Sequence, residues 1–590
     1  MASGRIVGGA SVCAAVLVAC GSSGAGGNAS PGGPDSGAGA GGANGGGSGG
    51  SAGASPGNAG QGGDAPGNGG ASNGAGGSSL VDSGTPGSCE AFGHFGAPGT
   101  TFTLPSGEGI YYPDVQKSFP DVDWTNLDRL YVPAGEYEEF NLGNLPTRTA
   151  DHPLVITNQG GGVKVGPNLG ANYLWSMGGG SHWILSGRYD EDSKTGDASV
   201  PGHRCGAYAN TRGKYGFLSD DGFDLTAPYL HMGISVSDAT DFEIEYVEVT
   251  RSGFAGIRLL NSRKDGDPAF DMANVRIHDD YIHDTAAEGT YFGWTGAPPA
   301  NLFPGLRIYN NRILRTGNEA LQIQDLGDGA EVYDNVIAFA ALHFRDNGLG
   351  QYQDNNAQVQ TRSGTISLHD NVFIGGAGTI LSFWSQPETG DGARHVTISD
   401  SYFSDVRSLM AYLGGESDSA SDFHFVSNVF RGMDFSYDSL DPAATNPGVV
   451  FQISPDLKSP IEFSKNHWEG PNALVAALMG GNGTKGTITG TANVNETVAA
   501  IQFEDSGYPD GVSPQALEIW GTTATLSPGS PAITYAVGAL VMDDAELYRC
   551  TATNSGQRPK DHPESWEHLP PPADDVRVKA GTPYERLGVH

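Results

Sequence analysis

Basic residues, cysteine and long apolar segments are all scarce in this chain of 590 residues. Lys and Arg number 32 against 67 Asp and Glu, so the formal net charge is -35 at pH 7. An acidic surface repels phosphate, which argues against nucleic acid as a partner. Beyond the N-terminal segment no apolar run reaches about 18 residues, so we expect no transmembrane helix.

Glycine, in contrast, is abundant and unevenly distributed. The chain has 90 Gly, of which 28 lie among the 68 residues 21–88. They follow no strict three-residue period, which excludes collagen. Residues 20–88 contain almost no aliphatic side chain to bury, so we predict a disordered tether there. Folding is then confined to about residues 89–590.

The N-terminal segment carries targeting information. Residues 1–19 combine Arg5 with a short apolar stretch, which is typical of a secretory signal peptide. The stretch ends in Leu-Val-Ala before Cys20 and resembles a bacterial lipobox. The resemblance implies cleavage before Cys20 and lipidation of its thiol. We therefore expect a lipoprotein of the outer membrane or cell surface that contacts the membrane through this anchor alone.

The remaining cysteines limit disulfide formation. Removal of the signal peptide leaves Cys20, Cys89, Cys205 and Cys550. If Cys20 is lipidated, three thiols remain, so at most one disulfide forms within the chain. Pairing of Cys89 with Cys205 is one option that the sequence does not establish.

A short unit recurs through the middle of the chain. An apolar anchor is followed three residues later by a small polar residue and five residues later by another large apolar residue. The copies run 277–282, 308–313, 332–337, 368–373, 398–403, 425–430 and 463–468, with a degenerate copy from Ile244. Successive anchors are 33, 31, 24, 36, 30, 27 and 38 residues apart. Short apolar strands between Gly, Asn and Asp turns at such spacings predict a solenoid of β-strands.

The polar position of the repeat indicates how the coils stack. Five of the eight copies carry Asn there, and Asp280 and Ser401 replace it in two others. Equivalent residues of stacked coils lie about 4.8 Å apart, so each amide can bond to the next. Asn also tolerates a left-handed backbone at a sharp bend. The pattern resembles the asparagine ladder of the right-handed parallel β-helix, the pectin-lyase-like superfamily, over about residues 108–530. Two interruptions, about 188–229 and 261–273, are predicted loops.

Counting from the anchors aligns further polar residues. Arg251, Asp284 and Arg315 each follow an anchor by seven residues and form a column of alternating charge. Such a column stabilises neighbouring coils or serves a site, and both readings stay open. Glu288 and Glu319 each follow an anchor by eleven residues, so we expect them on adjacent coils.

The strands after these glutamates predict an outward polar surface. Alternation places one set of side chains inward: Ile257, Phe292, Leu321, Ile323, Leu342 and Phe344. It places a second set outward: Arg258, Tyr291, Gln322, Gln324, His343 and Arg345. Trp294, Asp325 and Asp346 follow directly. Amides, guanidinium groups and aromatic faces suit the hydroxyls and rings of a polysaccharide, although outward residues of any solenoid are polar.

Two reactions fit this surface. A glycoside hydrolase needs a pair of carboxyl groups, for which Glu288 and Glu319 are the candidates. A polysaccharide lyase needs a base and a cation beside a uronate carboxyl. Its candidates are His343, Arg345 and Arg258, with calcium at Asp325 and Asp346 as the cofactor considered. The sequence contains neither the Gly-His-Gly and Asn-Thr-Asp of polygalacturonase-like hydrolases nor the Trp-x-Asp-His of pectate lyases.

Residues 532–570 depart from the solenoid pattern. Tyr535, Gly538 and Val541 are followed by Leu-Tyr548, Pro559 and Trp566, at spacings that resemble the chitin-binding type 3 module. The resemblance implies a carbohydrate-binding module, with Tyr548 and Trp566 as candidate sugar contacts or as core residues. The exposed Trp pair of such modules is missing. Residues 571–590 are a predicted tail.

The sequence thus predicts a β-helix domain over 89–531 in a surface-tethered monomer that acts on a polysaccharide. Glycoside hydrolysis is the first interpretation, because of the glutamate pair and the acidic charge. Lyase action on a uronate polymer and non-catalytic glycan binding, as in an adhesin, remain as alternatives.

Overall fold

A computed structural model describes residues 99–107, 109–168, 173–188, 212–222, 232–260, 271–293, 302–342, 355–376, 380–385, 392–404, 410–415, 420–431, 451–453, 457–469, 488–508, 517–519 and 534–590. The chain winds into a right-handed parallel β-helix whose strands form three lengthwise faces. The fold class predicted from the repeat is confirmed.

Face one contains β1 (Thr100–Thr103), β3 (Leu127–Tyr137), β5 (Leu154–Val165), β7 (Trp183–Ser186), β10 (Glu243–Glu245), β13 (Arg276–His278), β16 (Arg307–Tyr309), β19 (Ala330–Tyr333), β22 (Gly364–His369), β25 (Arg394–Ser399), β28 (Asp422–Val426), β31 (Ile461–Ser464) and β33 (Ile488–Thr489). Face two contains β8 (Phe217–Asp220), β11 (Val247–Thr250), β14 (Tyr281–Thr285), β17 (Arg312–Thr316), β20 (Val336–Ala340), β23 (Val372–Gly376), β26 (Tyr402–Ser404), β29 (Val429–Arg431), β32 (His467–Trp468) and β34 (Val494–Asn495). Face three contains β2 (Ile110–Tyr112), β4 (Phe140–Leu142), β6 (Trp175–Gly178), β9 (Ile234–Ser237), β12 (Ala255–Leu259), β15 (Glu288–Phe292), β18 (Leu321–Leu326), β21 (Ala357–Thr361), β24 (Leu381–Ser385), β27 (Ala411–Gly415) and β30 (Phe451–Ile453). A four-residue helix, α1 (Val115–Ser118), follows β2.

The anchors of the repeat set the register of face one. Ile244 pairs with Ile277, Ile277 with Ile308, and the pairing continues coil by coil to Phe463. These side chains are buried in one continuous apolar core that runs the length of the solenoid. Because one apolar side chain per strand always faces inward, the strands cannot slip by one residue without exposing it.

The predicted ladder is present. Each polar residue accepts a hydrogen bond from the backbone N–H of its counterpart on the preceding coil, as from Asn311 N to Asn335 Oδ1 at 3.0 Å. Each amide also donates to the carbonyl of the preceding anchor, as from Asn311 Nδ2 to Ile277 O at 2.9 Å. Asn493 extends the ladder by one rung, with its Oδ1 3.0 Å from Asn466 N.

One part of the ladder prediction is wrong. The left-handed residue is not the ladder Asn but the residue before it, with φ from 49° to 60° at Asp279, Asn310, Asp334, Asp370, Asp400, Ser427, Lys465 and Ala492. The bend therefore falls one position earlier, which leaves each ladder side chain directed along the solenoid axis to bond with its neighbours.

Two further predictions need correction. The predicted loop 188–229 contains β8, which pairs with β5 and β11 because its Phe217 fills the core. The strand predicted to follow Gln322 at residues 341–345 is also wrong, because Gln322 pairs with Gln358 of β21. Leu342, predicted to face the core, packs in a separate cluster on the outside of the solenoid.

The C-terminal residues form a small β module on face two. One sheet holds β36 (Leu517–Ile519), β38 (Leu540–Asp543), β39 (Glu546–Cys550) and β41 (Trp566–Leu569). Two antiparallel pairs join β37 (Thr534–Tyr535) to β40 (Asn554–Ser555) and β35 (Phe503–Asp505) to β42 (Asp575–Val578). A 3₁₀ turn covers Pro559–Asp561. Leu540, Met542 and Leu547 share an apolar cluster with Val336 and Val372 of face two. Within the described ranges, no helix is long and apolar enough to cross a membrane.

Candidate functional site

A column of polar and aromatic residues runs along the outer side of face three. Parallel pairing places one residue from each strand in register, and the core residues lie between them. In order along the solenoid these positions are Tyr111, Asn141, Ser176, Ser235, Arg258, Tyr291, Gln322, Gln358, Ser382 and Tyr412. We call this set the face-three column. The sequence predicted three of its members: Arg258, Tyr291 and Gln322.

Aromatic rings and one guanidinium group lie at the centre of the column. Arg258 donates to Ser235 Oγ at 3.1 Å, and its guanidinium carbon lies 5.7 Å from the ring centre of Tyr173. Tyr173 is 44% exposed, whereas Tyr291 is buried against Phe254 with ring centres 5.1 Å apart. Gln322 and Gln324 are buried as well. The column therefore offers an exposed ring beside a cation, next to buried amides.

The two predicted carboxyl groups lie beside this column on adjacent coils. β15 and β18 pair in the expected register, and Glu288 is opposite Ala255 of the preceding coil. Each carboxyl accepts from an Asn of the next coil: Glu288 from Asn318 at 3.5 Å, and Glu319 from Asn355 at 3.1 Å. Both residues are only 1% exposed, so the sequence was wrong to place them at an open surface.

The electrostatics of Glu288 also differ from the prediction. Burial raises the pKa of the Glu288 carboxyl to about 7, while hydrogen bonds from its own backbone and from Asn318 oppose the rise. The sequence attributed such a rise to repulsion by Glu319. Desolvation is instead the cause, because the carboxylate form loses its hydration in the fold.

The alternating charge column stabilises neighbouring coils. Arg251 forms two hydrogen bonds with Asp220, at 2.8 and 2.6 Å, and Arg315 forms two with Asp284, at 2.6 and 3.2 Å. Arg315 also bonds to Asp574 of the C-terminal segment at 2.7 and 2.8 Å. All three column residues have a left-handed backbone, with φ from 51° to 56°. These contacts support the structural interpretation of the column.

The remaining predicted site residues fall into two groups. Asp325 is buried and forms an ion pair with Arg362 at 3.4 Å, a cation that calcium would have to displace. Five others lie outside the described residues: Cys20, Trp294, His343, Arg345 and Asp346. The lyase groups, the lipidation site and the calcium pair Asp325 and Asp346 therefore stay predictions.

The candidate aromatics of the C-terminal module belong to its core. Trp566 is 2% exposed, and its indole N–H donates to Gln557 O at 2.9 Å. Tyr548 is buried and donates to Glu546 at 2.8 Å. Neither ring face is open to a sugar, so the substrate-binding role predicted for these two residues is wrong. They pack there because two edge strands and one turn enclose them with Tyr535.

Sequence reasoning missed two histidine clusters on the outer surface. The segment 277–284 contains His-Asp twice, five residues apart, and each His contacts a glutamate 35 residues earlier on the preceding coil. His278 lies on face one beside Glu243, and His283 on face two beside Glu248. The repeated His-Asp pair was visible in the sequence, but only the coil register shows its partners.

The sequence matches no protein-family profile and no curated protein. Solved structures with a similar fold include tailspike protein 2 of Escherichia coli O157:H7 bacteriophage CAB120, at 11% identity and a TM-score of 0.34 over 65% of this chain and 44% of that one. Pectate lyase Pel9A aligns at 9% identity with a TM-score of 0.30, covering 72% of this chain and 85% of the lyase. The GH136 lacto-N-biosidase of Eubacterium ramulus aligns at 9% identity with a TM-score of 0.36, covering 63% and 62%. These values are too low to assign an activity, and the fold rests on the strand pairing itself.

Proposed function

We propose that the protein acts on a polysaccharide, which binds along the face-three column and is hydrolysed by Glu288 and Glu319. The observation that carries the proposal is the Glu288 carboxyl, which is buried beside the column with a pKa raised to about 7. A general acid works best with a pKa near the working pH. Such a carboxyl can be protonated at neutral pH, as the acid of a glycosidase must be.

The second carboxyl supports the same mechanism. Neighbouring parallel strands are about 4.8 Å apart, so Glu319 lies one coil spacing from Glu288. Retaining glycosidases hold their two carboxyl groups about 5–5.5 Å apart. In this scheme Glu288 protonates the leaving oxygen and Glu319 attacks the sugar. Arg258 and Tyr173 would bind the hydroxyls and the face of an adjacent sugar ring.

Glycan binding without catalysis is the second candidate function. It is favoured by the burial of both carboxyl groups and by their repeated contact with an Asn of the next coil. In that case Glu288 and Glu319 would be rungs of a second, structural ladder, and the face-three column alone would contact the glycan.

The variants Glu288→Gln and Glu319→Gln distinguish these functions on a panel of polysaccharides. If the pair is catalytic, each change lowers the release of reducing sugar by about 100-fold or more. The melting temperature should hold or rise, because each substitution removes a buried carboxyl without changing its shape. Glu331→Gln is a matched control, since Glu331 pairs with Arg307 on face one, away from the column.

Other outcomes exclude hydrolysis at this site. Full turnover in both Gln variants would show that another group is catalytic. An unsaturated product would identify a lyase, whose predicted groups are His343 and Arg345. Binding without any product would establish the non-catalytic function.

We also propose that a lipid on Cys20 attaches the protein to the cell envelope. Cys20→Ser should then move the protein from the membrane fraction to the soluble fraction, and an unchanged distribution would contradict the proposal. The resemblance of residues 532–570 to chitin-binding modules places glycan binding by this module in the same proposal. Because Tyr548 and Trp566 are buried, such binding would use other side chains.

A further inference from the structure

We propose that Glu243, Glu245 and His278 bind a divalent transition-metal ion on the outer side of face one. Among the described residues, these three form the group of His, Cys, Asp and Glu whose candidate ligand atoms all lie within 4.8 Å of one another. The site is separate from the face-three column, and the proposal does not depend on the proposed activity.

The coil register creates the cluster. Alternation along β10 turns Ile244 into the core, so Glu243 and Glu245 both lie on the outer side. Parallel pairing with β13 then places His278 directly beside Glu245, with Arg276 beside Glu243. The metal would therefore join two consecutive coils.

The distances suit a small ion with nitrogen and oxygen ligands. His278 Nε2 lies 2.8 Å from Glu243 Oε1 and 3.9 Å from Glu245 Oε2. Zinc bonds of about 2.0–2.2 Å in a tetrahedron separate the ligand atoms by about 3.3–3.6 Å. The two observed distances lie on either side of that value, so small side-chain movements complete the site.

The histidine is already oriented for metal binding. Its Nδ1 lies 2.6 Å from Asp279 Oδ2, so the carboxylate accepts the Nδ1 proton and leaves Nε2 free to bind metal. The ring of Tyr309 on the next coil stacks on the His278 ring at 4.4 Å. Ligating histidines commonly have such a carboxylate partner, which fixes the ring and raises its basicity.

An orphaned buried oxygen points to a missing cation. Glu245 is 5% exposed, and its Oε1 has no hydrogen-bond partner. A buried carboxylate oxygen without a donor is costly unless a cation binds it. Glu243, whose side chain is 17% exposed, leaves a route to solvent and room for a water molecule as a further ligand.

The second histidine cluster provides an internal contrast. His283 repeats the arrangement, with Nε2 3.1 Å from Glu248 and Nδ1 2.6 Å from Asp284. There, however, the protein itself supplies the missing donors. Gly213 N bonds to Glu248 Oε2 at 2.6 Å, and Arg212 and Arg315 bond to Asp284. That cluster has no need of a metal.

One imidazole and two carboxylates favour zinc over calcium or magnesium, which prefer oxygen ligands alone. The test is a calorimetric titration of the chelator-treated, dialysed protein with ZnCl₂, followed by CaCl₂ and MgCl₂. We expect a single saturable zinc site per chain and a rise in melting temperature on binding. Glu245→Gln and His278→Gln should abolish that site, and Asp279→Asn should weaken it about 10- to 100-fold.

Glu331→Gln, which changes an exposed carboxylate on the same face, should bind zinc as the natural sequence does. Circular dichroism checks that each variant is folded, and Glu245→Gln keeps the test valid if His278→Gln does not fold. A purely structural cluster gives a different pattern: the variants lower the melting temperature, but zinc has no effect on the unsubstituted protein. That result, or zinc binding that survives Glu245→Gln, would overturn the proposal. Tighter binding of calcium than of zinc would overturn the metal class.

Discussion

At the scale of single residues, Asp280 is the exception in the asparagine ladder. Its Oδ1 accepts from Val247 N at 2.9 Å, as an Asn would, but its Oδ2 is buried without a hydrogen-bond partner. In the Asn rungs the corresponding amide donates to an anchor carbonyl. Burial raises the pKa of the Asp280 carboxyl well above its usual range, and the charges of His278, Asp279 and Glu245 have smaller effects.

This shift makes the stability of the ladder depend on pH. A carboxyl whose pKa is raised on folding stabilises the fold while it is protonated, so its contribution is complete below about pH 4. The contribution is lost as the pH rises through the folded-state pKa. At neutral pH the buried carboxyl therefore costs stability that an amide would not.

Asp280→Asn should therefore stabilise the protein at pH 8, by about 1 kcal/mol or more, and give little gain at pH 4. Thermal unfolding at the two pH values measures the difference. Asn371→Asp is the mirror control, because Asn371 donates to Val332 O at 2.8 Å and the change would place a carboxyl in the same ladder. It should destabilise the protein more at pH 8 than at pH 4. An equal gain at both pH values for Asp280→Asn would contradict the explanation.

At the scale of strands and coils, the part of the fold that repeats was predictable. Ile277 and Ile308 could be aligned because one apolar side chain per coil must face the core, whatever the length of the intervening turn. The same argument located Glu288 and Glu319, which lie on consecutive coils as expected. Irregular coil length was the limit. After Gln322 the chain continues through Leu342 before β21 returns to face three, and no local pattern indicates that detour.

The candidate site was less predictable, because its properties depend on what covers each side chain. Alternation indicated that Tyr291 and Gln322 leave the core, but both are buried on the outer side. For the same reason Glu288 owes its raised pKa to burial, which sequence spacing does not reveal. Partners far along the chain were also hidden. Arg315 bonds to Asp574, 259 residues away, so the column of charge could not be assigned from the repeat alone.

At the scale of the whole molecule, the C-terminal residues complete the solenoid rather than hang from it. Their apolar side chains share a buried cluster with face two, including Leu314, Val336, Val372 and Ile374. Polar contacts secure the same interface. Asp574 accepts from Arg315 and from the hydroxyl of Tyr281, and its backbone carbonyl accepts from Arg312 at 2.8 Å. Residues 571–590, expected to be a tail, therefore contribute to the packing.

Deletion of residues 534–590 should destabilise the β-helix itself. It would expose the apolar cluster on face two and remove Asp574, which leaves Arg315 with fewer partners. Exposed apolar surface costs about 25 cal/mol for each Å², so uncovering several aliphatic side chains outweighs the loss of surface contacts elsewhere. We expect a lower melting temperature, binding of a hydrophobic dye and a tendency to aggregate.

Two controls separate docking from a general effect of truncation. Removal of residues 21–88, the predicted tether, should leave the melting temperature unchanged. Asp574→Asn keeps the module but weakens its charged contacts, so it should lower the melting temperature by less than the deletion does. An independent module would behave differently: its deletion would leave the melting temperature and dye binding of the β-helix as they were. Because docking couples the module to the solenoid, its role in retention on an insoluble glycan is best measured with surface substitutions in the intact chain.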